Sequence, residues 1–290
     1  MKCSIFVPSH ITGFFEIIDK QNPLKKGSRG AGVVMDKGII TKIKISDGNR
    51  IKIKINQKND PKNATMTEKI IEIIKRDFNL DDKKILINHE VHVPVGAGFG
   101  TSAAFALGTV FGLSNLLNLP LTFNRAAQIA HIAEVEMKSG LGDVIGEISG
   151  GMVLRLKEGA PGIGITDKLL LDPSEDFFVI SKCLGEINTA DIIEDPVHKE
   201  KINFMGQNLL FKLIKNPKPE NLMNLSRKFA EKTGLISSEV SEIMKVLEDE
   251  TIGASMAMLG NTAFAISKSP DTSIEDAIVA KLNHDGLKFL

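Results

Sequence analysis

Pro94-Val95-Gly96-Ala97-Gly98-Phe99-Gly100-Thr101-Ser102-Ala103-Ala104 is a glycine-rich loop that feeds directly into a largely apolar helical run reaching Leu117. Glycines at alternate positions let successive backbone N–H groups turn inward without Cβ clashes. The free N–H groups and positive end of the following helix add to such an anion-binding concavity, so the stretch reads as a phosphate cradle. Thr101 and Ser102 place hydroxyls at the helix start, where an oxygen can cap the helix or reach a phosphate-bound Mg²⁺. The competing reading is a small-residue loop that merely lets a helix pack tightly against a strand. Two better-known phosphate loops are excluded. No lysine follows Gly100, as a Walker A loop requires, and Thr101 stands where the dinucleotide fingerprint has its third glycine.

The chain on either side supports a mixed architecture. Lys2–Val7 predicts a short strand ending at Pro8, and Gly13–Ile18 an extended edge. Isoleucines alternating with Lys, Thr or Ser across Ile39–Ile55, broken at Asp47-Gly48-Asn49, predict a half-exposed β-hairpin. Thr67–Phe78 has helical spacing, with Thr65 or Thr67 as cap, and Ile85–Val93 returns to strand and delivers the chain to the loop. Helices at Ser102–Leu117 and Asn124–Lys138, a glycine turn at Ser139–Asp143 and a strand at Met152–Leu156 follow. Glu158–Gly164 is the most loop-like stretch and suggests two domains, 1–160 and 161–290. The second half predicts a strand at Phe177–Ile180, helices at Asn203–Lys215, Asn221–Thr233 and Ser238–Glu248, a strand at Ala263–Ile266 and a helix at Ile274–Asn283. Strands interleaved with helices make the fold class α+β.

Bulk composition narrows the function. Lys plus Arg and Asp plus Glu both total 36 among 290 residues, so no basic excess recommends nucleic acid or an anionic membrane as partner. A small anionic substrate must then be caught by local groups. No apolar run approaches the ~20 residues needed to span a bilayer, and no basic-then-apolar leader opens the chain, which suggests a cytoplasmic location. Cys3 and Cys183 are isolated and fit buried thiols better than a disulfide framework or a zinc site.

Two further segments carry chemistry. His131 and Glu134 share one face of an alanine-rich, mostly buried helix. A buried carboxylate needs a partner or a metal, which makes Glu134 a candidate Mg²⁺ ligand, whereas His131 alone reads as a core histidine. Asp143 closes the turn Ser139-Gly140-Leu141-Gly142-Asp143 and could simply stabilise it. Arg155 follows Gly150-Gly151 and faces either the same cleft or the surface of an edge strand.

Pro94–Ala104 resembles the central motif of the GHMP kinases, P-x-G-x-G-L-G-S-S-A-A, with Phe99 for Leu and Thr101 for Ser as departures. The resemblance implies ATP binding by Pro94, Gly96, Gly98, Gly100, Thr101, Ser102 and Ala103, with Ser102 and Glu134 on Mg²⁺. It nominates Asp143 as the base near an acceptor hydroxyl. It also implies a ribosomal-protein-S5-like N-terminal domain and a ferredoxin-like C-terminal domain. Where the superfamily has Pro-x-Lys in its first strand, this chain has Pro8-Ser9-His10, so an imidazole replaces an ammonium.

That segment through Glu16, Gly27-Ser28-Arg29-Gly30-Ala31-Gly32 and the methionine-containing variant at Met256–Gly260 resemble the archaeal pantoate kinases over essentially the whole chain. This narrower resemblance implies ATP-dependent phosphorylation of pantoate to 4-phosphopantoate on the way to coenzyme A. It further implies Ser28, His131 and Arg155 on the substrate, and a homodimer. Mevalonate- or shikimate-type kinases, and a non-catalytic sensor of nucleotide and metabolite, are the alternatives.

Overall fold

The computed structural model describes residues 1–78, 80, 82–185 and 196–290. Strands β1 (Lys2–Ile18), β2 (Gly27–Asp47), β3 (Arg50–Ile55), β4 (Lys83–Val91), β5 (Met152–Lys157), β6 (Ile165–Lys168) and β11 (Lys288–Phe289) form one seven-stranded sheet. Its central path runs β11-β1-β2-β4-β3, and β5 pairs with both β2 and β6. Helices α1 (Pro61–Asp77), α2 (Thr101–Leu116), α3 (Phe123–Glu136) and the short α4 (Asp143–Ser149) accompany it. α2 is buried almost all round. Its Gly108 and Gly112 admit the sheet so closely that an added Cβ would lie 2.1 Å from Thr41 Oγ1 and 2.6 Å from Ile43 Cδ1.

The second sheet is antiparallel and contains β7 (Phe178–Gly185), β8 (Gly253–Met256), β9 (Asn261–Ser267) and β10 (Ile278–Lys281), in the order β10-β7-β9-β8. Helices α6 (Pro219–Thr233) and α7 (Ser238–Glu250) pack on it, while α5 (Pro196–Lys215) and α6 pack against β1 of the first sheet. The order is that of the expected ferredoxin-like layer. The helix expected at Ile274–Asn283 is instead an irregular segment followed by β10, because Ile278-Val279-Ala280 pairs along β7. β-branched residues in register with a neighbouring strand outweigh the helical spacing of Ile274, Ala277 and Ile278.

Other expectations change as well, the Thr65 or Thr67 cap among them, since the first helix already starts at Pro61. Pro8 does not end the first strand: β1 runs on to Ile18, 17 residues in all, with register shifts between Pro8 and Ser9 and between Thr12 and Phe14. A proline lacks the ladder N–H and is tolerated at such a bulge. Nor do β2 and β3 form a hairpin, since β4 lies between them and pairs antiparallel with β2 and parallel with β3. α1, capped by the Asp60 side chain, makes the β3-to-β4 crossover.

β1 therefore serves two cores. Ile5 and Val7 pack with α1, α2 and α3, while Ile11, Phe14, Phe15 and Ile17 pack with the helices and strands of the second half. Ser9 and His10 lie at the irregular step between them, facing the end of the glycine loop.

Candidate active site

The glycine loop takes the backbone its sequence demands. Gly96, Gly98 and Gly100 have φ of 73°, 86° and 68°, in the left-handed region that favours glycine. Gly100 is the N-cap of α2 and makes no side-chain cap, so no side chain occupies the first N–H groups of that helix. The late motif clasps the loop from behind. Thr262 Oγ1 donates to the Ala97 carbonyl at 2.8 Å, and a Cβ on Gly260 would meet that oxygen at 2.1 Å. Gly96, Gly98, Gly100, Thr101 and Ser102 line a cavity of about 480 Å³, a size suited to small ligands. Pro94 and Ala103 are not part of the lining and support it.

Glu134 of α3 is 1% exposed, and its Oε1 accepts from Ser139 Oγ at 2.6 Å. The nearby Ser102 and Ser139 hydroxyls favour the charged form, but burial dominates and raises its pKa to about 7, with the Asp143 charge adding to the rise. Oε2 has no partner. It sits against Gly140, where an added Cβ would lie 2.2 Å from Glu134 Oε2 and 3.4 Å from Asp143 Oδ2. A buried, half-satisfied carboxylate near a hydroxyl at a helix N-terminus suits a hard divalent cation. Among the described residues no three His, Cys, Asp or Glu form a metal cage. A cation shared with phosphate oxygens and water needs few protein ligands.

The opposite wall is made of side chains. Asp143, the first residue of α4, accepts from His10 Nδ1–H at 2.7 Å, and Arg155 Nη1–H on β5 donates to His10 Nε2 at 3.3 Å. Burial lowers the His10 pKa despite the bond to Asp143, with Arg155 also opposing protonation, so the ring is neutral. Arg155 is 1% exposed and its Nε has no partner. Burial lowers its pKa to about 10, against the pull of the Asp143 charge. Ser28 converges here too, since a Cβ on Gly142 would lie 2.4 Å from Ser28 Oγ and 2.7 Å from Arg155 Nε. Ser28, Asp143 and Arg155 line the same cavity as the loop.

Of the predicted side chains, Ser28, Ser102, Asp143 and Arg155 line the cavity, and Glu134 lies buried just behind Gly140 of that lining, whereas His131 stands apart. His131 is buried outside the lining, and its Nε2–H is shared by the carbonyls of Pro23 at 3.1 Å and Lys26 at 2.9 Å, in the connection leading to Ser28. Arg155 is not the exposed arginine of an edge strand. His10 is marked in the sequence only as a departure from Pro-x-Lys, with nothing local to place it in the site. Glu147 is marked even less: it is wholly buried on α4 with both carboxylate oxygens unpartnered and its pKa raised well above the usual range, first by burial and then by the charges of Asp143 and Glu134. Its only signal was an acid four residues after Asp143 on an otherwise apolar turn.

Residues 65–151 match the family model for the GHMP kinases N-terminal domain. A pantoate kinase of Methanocaldococcus jannaschii is 40% identical over 94% of this chain and 95% of its own length. One of Thermococcus kodakarensis is 39% identical over 96% and 92%. A solved structure described as a phosphotransferase related to the CoA biosynthesis pathway superposes with a TM-score of 0.87 at 35% identity, covering 100% of this chain and 99% of that one. A cleft with a glycine cradle on one wall and a carboxylate–imidazole–guanidinium chain on the other is therefore carried by a sequence similar to these enzymes over nearly its full length. The chain belongs to the GHMP kinases and, within them, to the pantoate kinase family.

Proposed function

We propose that the chain transfers the γ-phosphoryl group of ATP to the terminal hydroxyl of pantoate, giving 4-phosphopantoate and ADP, a step toward coenzyme A. The observation that carries this reading is Arg155: a buried guanidinium in the cleft with no carboxylate ion-paired to it among the described residues. An uncompensated buried cation favours an anionic ligand, and a guanidinium grips a carboxylate with two parallel N–H···O bonds.

In this reading the N–H groups of the glycine loop and of the first turn of α2 hold the triphosphate. Ser102 and Glu134 would hold Mg²⁺, which when bound neutralises charge on the phosphate oxygens. Asp143 orients the hydroxyl and accepts its proton as the oxygen attacks phosphorus and the bond to the ADP oxygen breaks. Ser28 lies beside Arg155 to bond the carboxylate. His131 acts at one remove, by fixing the Pro23–Lys26 segment ahead of Ser28. Phosphoryl transfer asks mostly for such positioning and charge stabilisation.

ATP consumption with pantoate, mevalonate, shikimate and homoserine in one assay tests the reading. Turnover is expected with pantoate. Preference for any other acceptor, or tight ATP binding with no turnover, would overturn it.

A further inference from the structure

We propose that His10 is a positioning residue that couples the two ends of the acceptor site, holding Asp143 through one ring nitrogen and Arg155 through the other. The proposal rests on the phosphoryl-transfer reading above. Three observations carry it. The imidazole is fully buried and makes both bonds at once, and their chemistry fixes one arrangement: the carboxylate can only accept, so Nδ1 carries the proton, and the guanidinium can only donate, so Nε2 is the acceptor. The ring also occupies a slot built for it. An added Cβ would lie 2.4 Å from its Nε2 at Gly32 of β2, and 2.9 Å from its Cδ2 at Gly146 of α4. Finally, the His10 backbone N–H donates to the Phe99 carbonyl at 3.3 Å, tying the same residue to the glycine loop.

A neutral ring cannot supply the positive charge that an ammonium at this position would bring. The charge stands one step further away, on Arg155, and reaches Asp143 through the polarised imidazole. Arg155 therefore has two tasks, reading the substrate carboxylate and backing the base, and His10 keeps both groups in register. A residue that only filled space would affect stability without separating the kinetic constants for the two substrates.

The test compares His10→Ala, His10→Asn and His10→Gln with the wild-type enzyme under saturating ATP and Mg²⁺. Removing the ring in His10→Ala is expected to lower kcat ~100-fold by misplacing the base. It should also raise the pantoate KM ~10-fold by freeing the guanidinium, with the KM for ATP unchanged. The Asn amide reaches the Nδ1 position and should recover mainly kcat, while the Gln amide reaches the Nε2 position and should recover mainly KM. In the wild-type protein, ¹⁵N NMR of the ring, assigned by its loss in His10→Asn, should show a neutral imidazole protonated at Nδ1. The tautomer itself is read on the wild-type protein, and the assignment needs only one folded variant at position 10. Wild-type kinetics in His10→Ala, equal losses in Asn and Gln, or an Nε2-protonated or doubly protonated ring would overturn the coupling while leaving pantoate phosphorylation standing. No wild-type turnover with pantoate would overturn the function reading and the coupling together.

Discussion

The two walls of the cleft are built of different material. The wall proposed to hold phosphate is backbone: left-handed glycines, the uncapped start of α2 and a late glycine motif pressed against the loop. The acceptor wall is side chains from separated elements, with His10 on β1, Asp143 on α4 and Arg155 on β5. A backbone wall can bind any triphosphate that fits, since every residue carries the same N–H. A side-chain wall is chemically particular, so it can decide which small acid is phosphorylated. Damage to the first should appear in the handling of ATP, and damage to the second in the acceptor.

The largest effect is expected from Asp143→Asn. The amide oxygen still accepts from His10 Nδ1–H but cannot take up the hydroxyl proton, so kcat should fall ~10²–10⁴-fold with the KM for ATP little changed. A near-normal kcat would make Asp143 a turn residue and blur the contrast between the walls.

Glu134 sits where the walls meet, and its pH behaviour sharpens the comparison. Its folded pKa of about 7 exceeds the ordinary 4.5, so between these values the unfolded chain binds fewer protons and stability falls as pH rises. Above pH 7 the full penalty is present, about 3 kcal/mol for this shift. Without divalent cations, denaturant unfolding of Glu134→Gln should therefore show a gain over wild type at pH 8 that disappears near pH 4. A gain of the same size at both pH values would contradict the protonation argument. Smaller still is Gly98→Ala, which puts a side chain at φ 86° and 3.1 Å from Gly260 Cα. Strain of 1–3 kcal/mol in the loop should raise the KM for ATP about tenfold and leave the pantoate KM unchanged. Equal changes in both would show that the walls are not separable.

The same contrast explains what could be read in advance. The loop was legible because its conformation is encoded in consecutive residues; Ser102 followed from its place at the helix start and Glu134 from its burial on an apolar helix. The acceptor wall was not, because Asp143 and Arg155 lie 133 and 145 positions from His10 and no local pattern marks their meeting. Only the resemblance to a known family nominated Asp143, Ser28, His131 and Arg155 for their roles. Strand alternation across Ile39–Ile55 likewise gave the faces but not the partners, since a periodicity of two is satisfied equally by a hairpin and by two strands separated by β4. In the second half, the spacing of Ile274, Ala277 and Ile278 fitted a helix until pairing with β7 decided otherwise.

The central claim is that Arg155 reads the carboxylate of the phosphoryl acceptor. It is tested most directly by measuring kcat/KM for pantoate and for its uncharged primary amide, in wild type and in Arg155→Ala. The account predicts that wild type prefers pantoate by ~2–5 kcal/mol, as for a buried charged contact, and that the variant loses most of this preference while keeping its KM for ATP. An undiminished preference for pantoate in Arg155→Ala would contradict it.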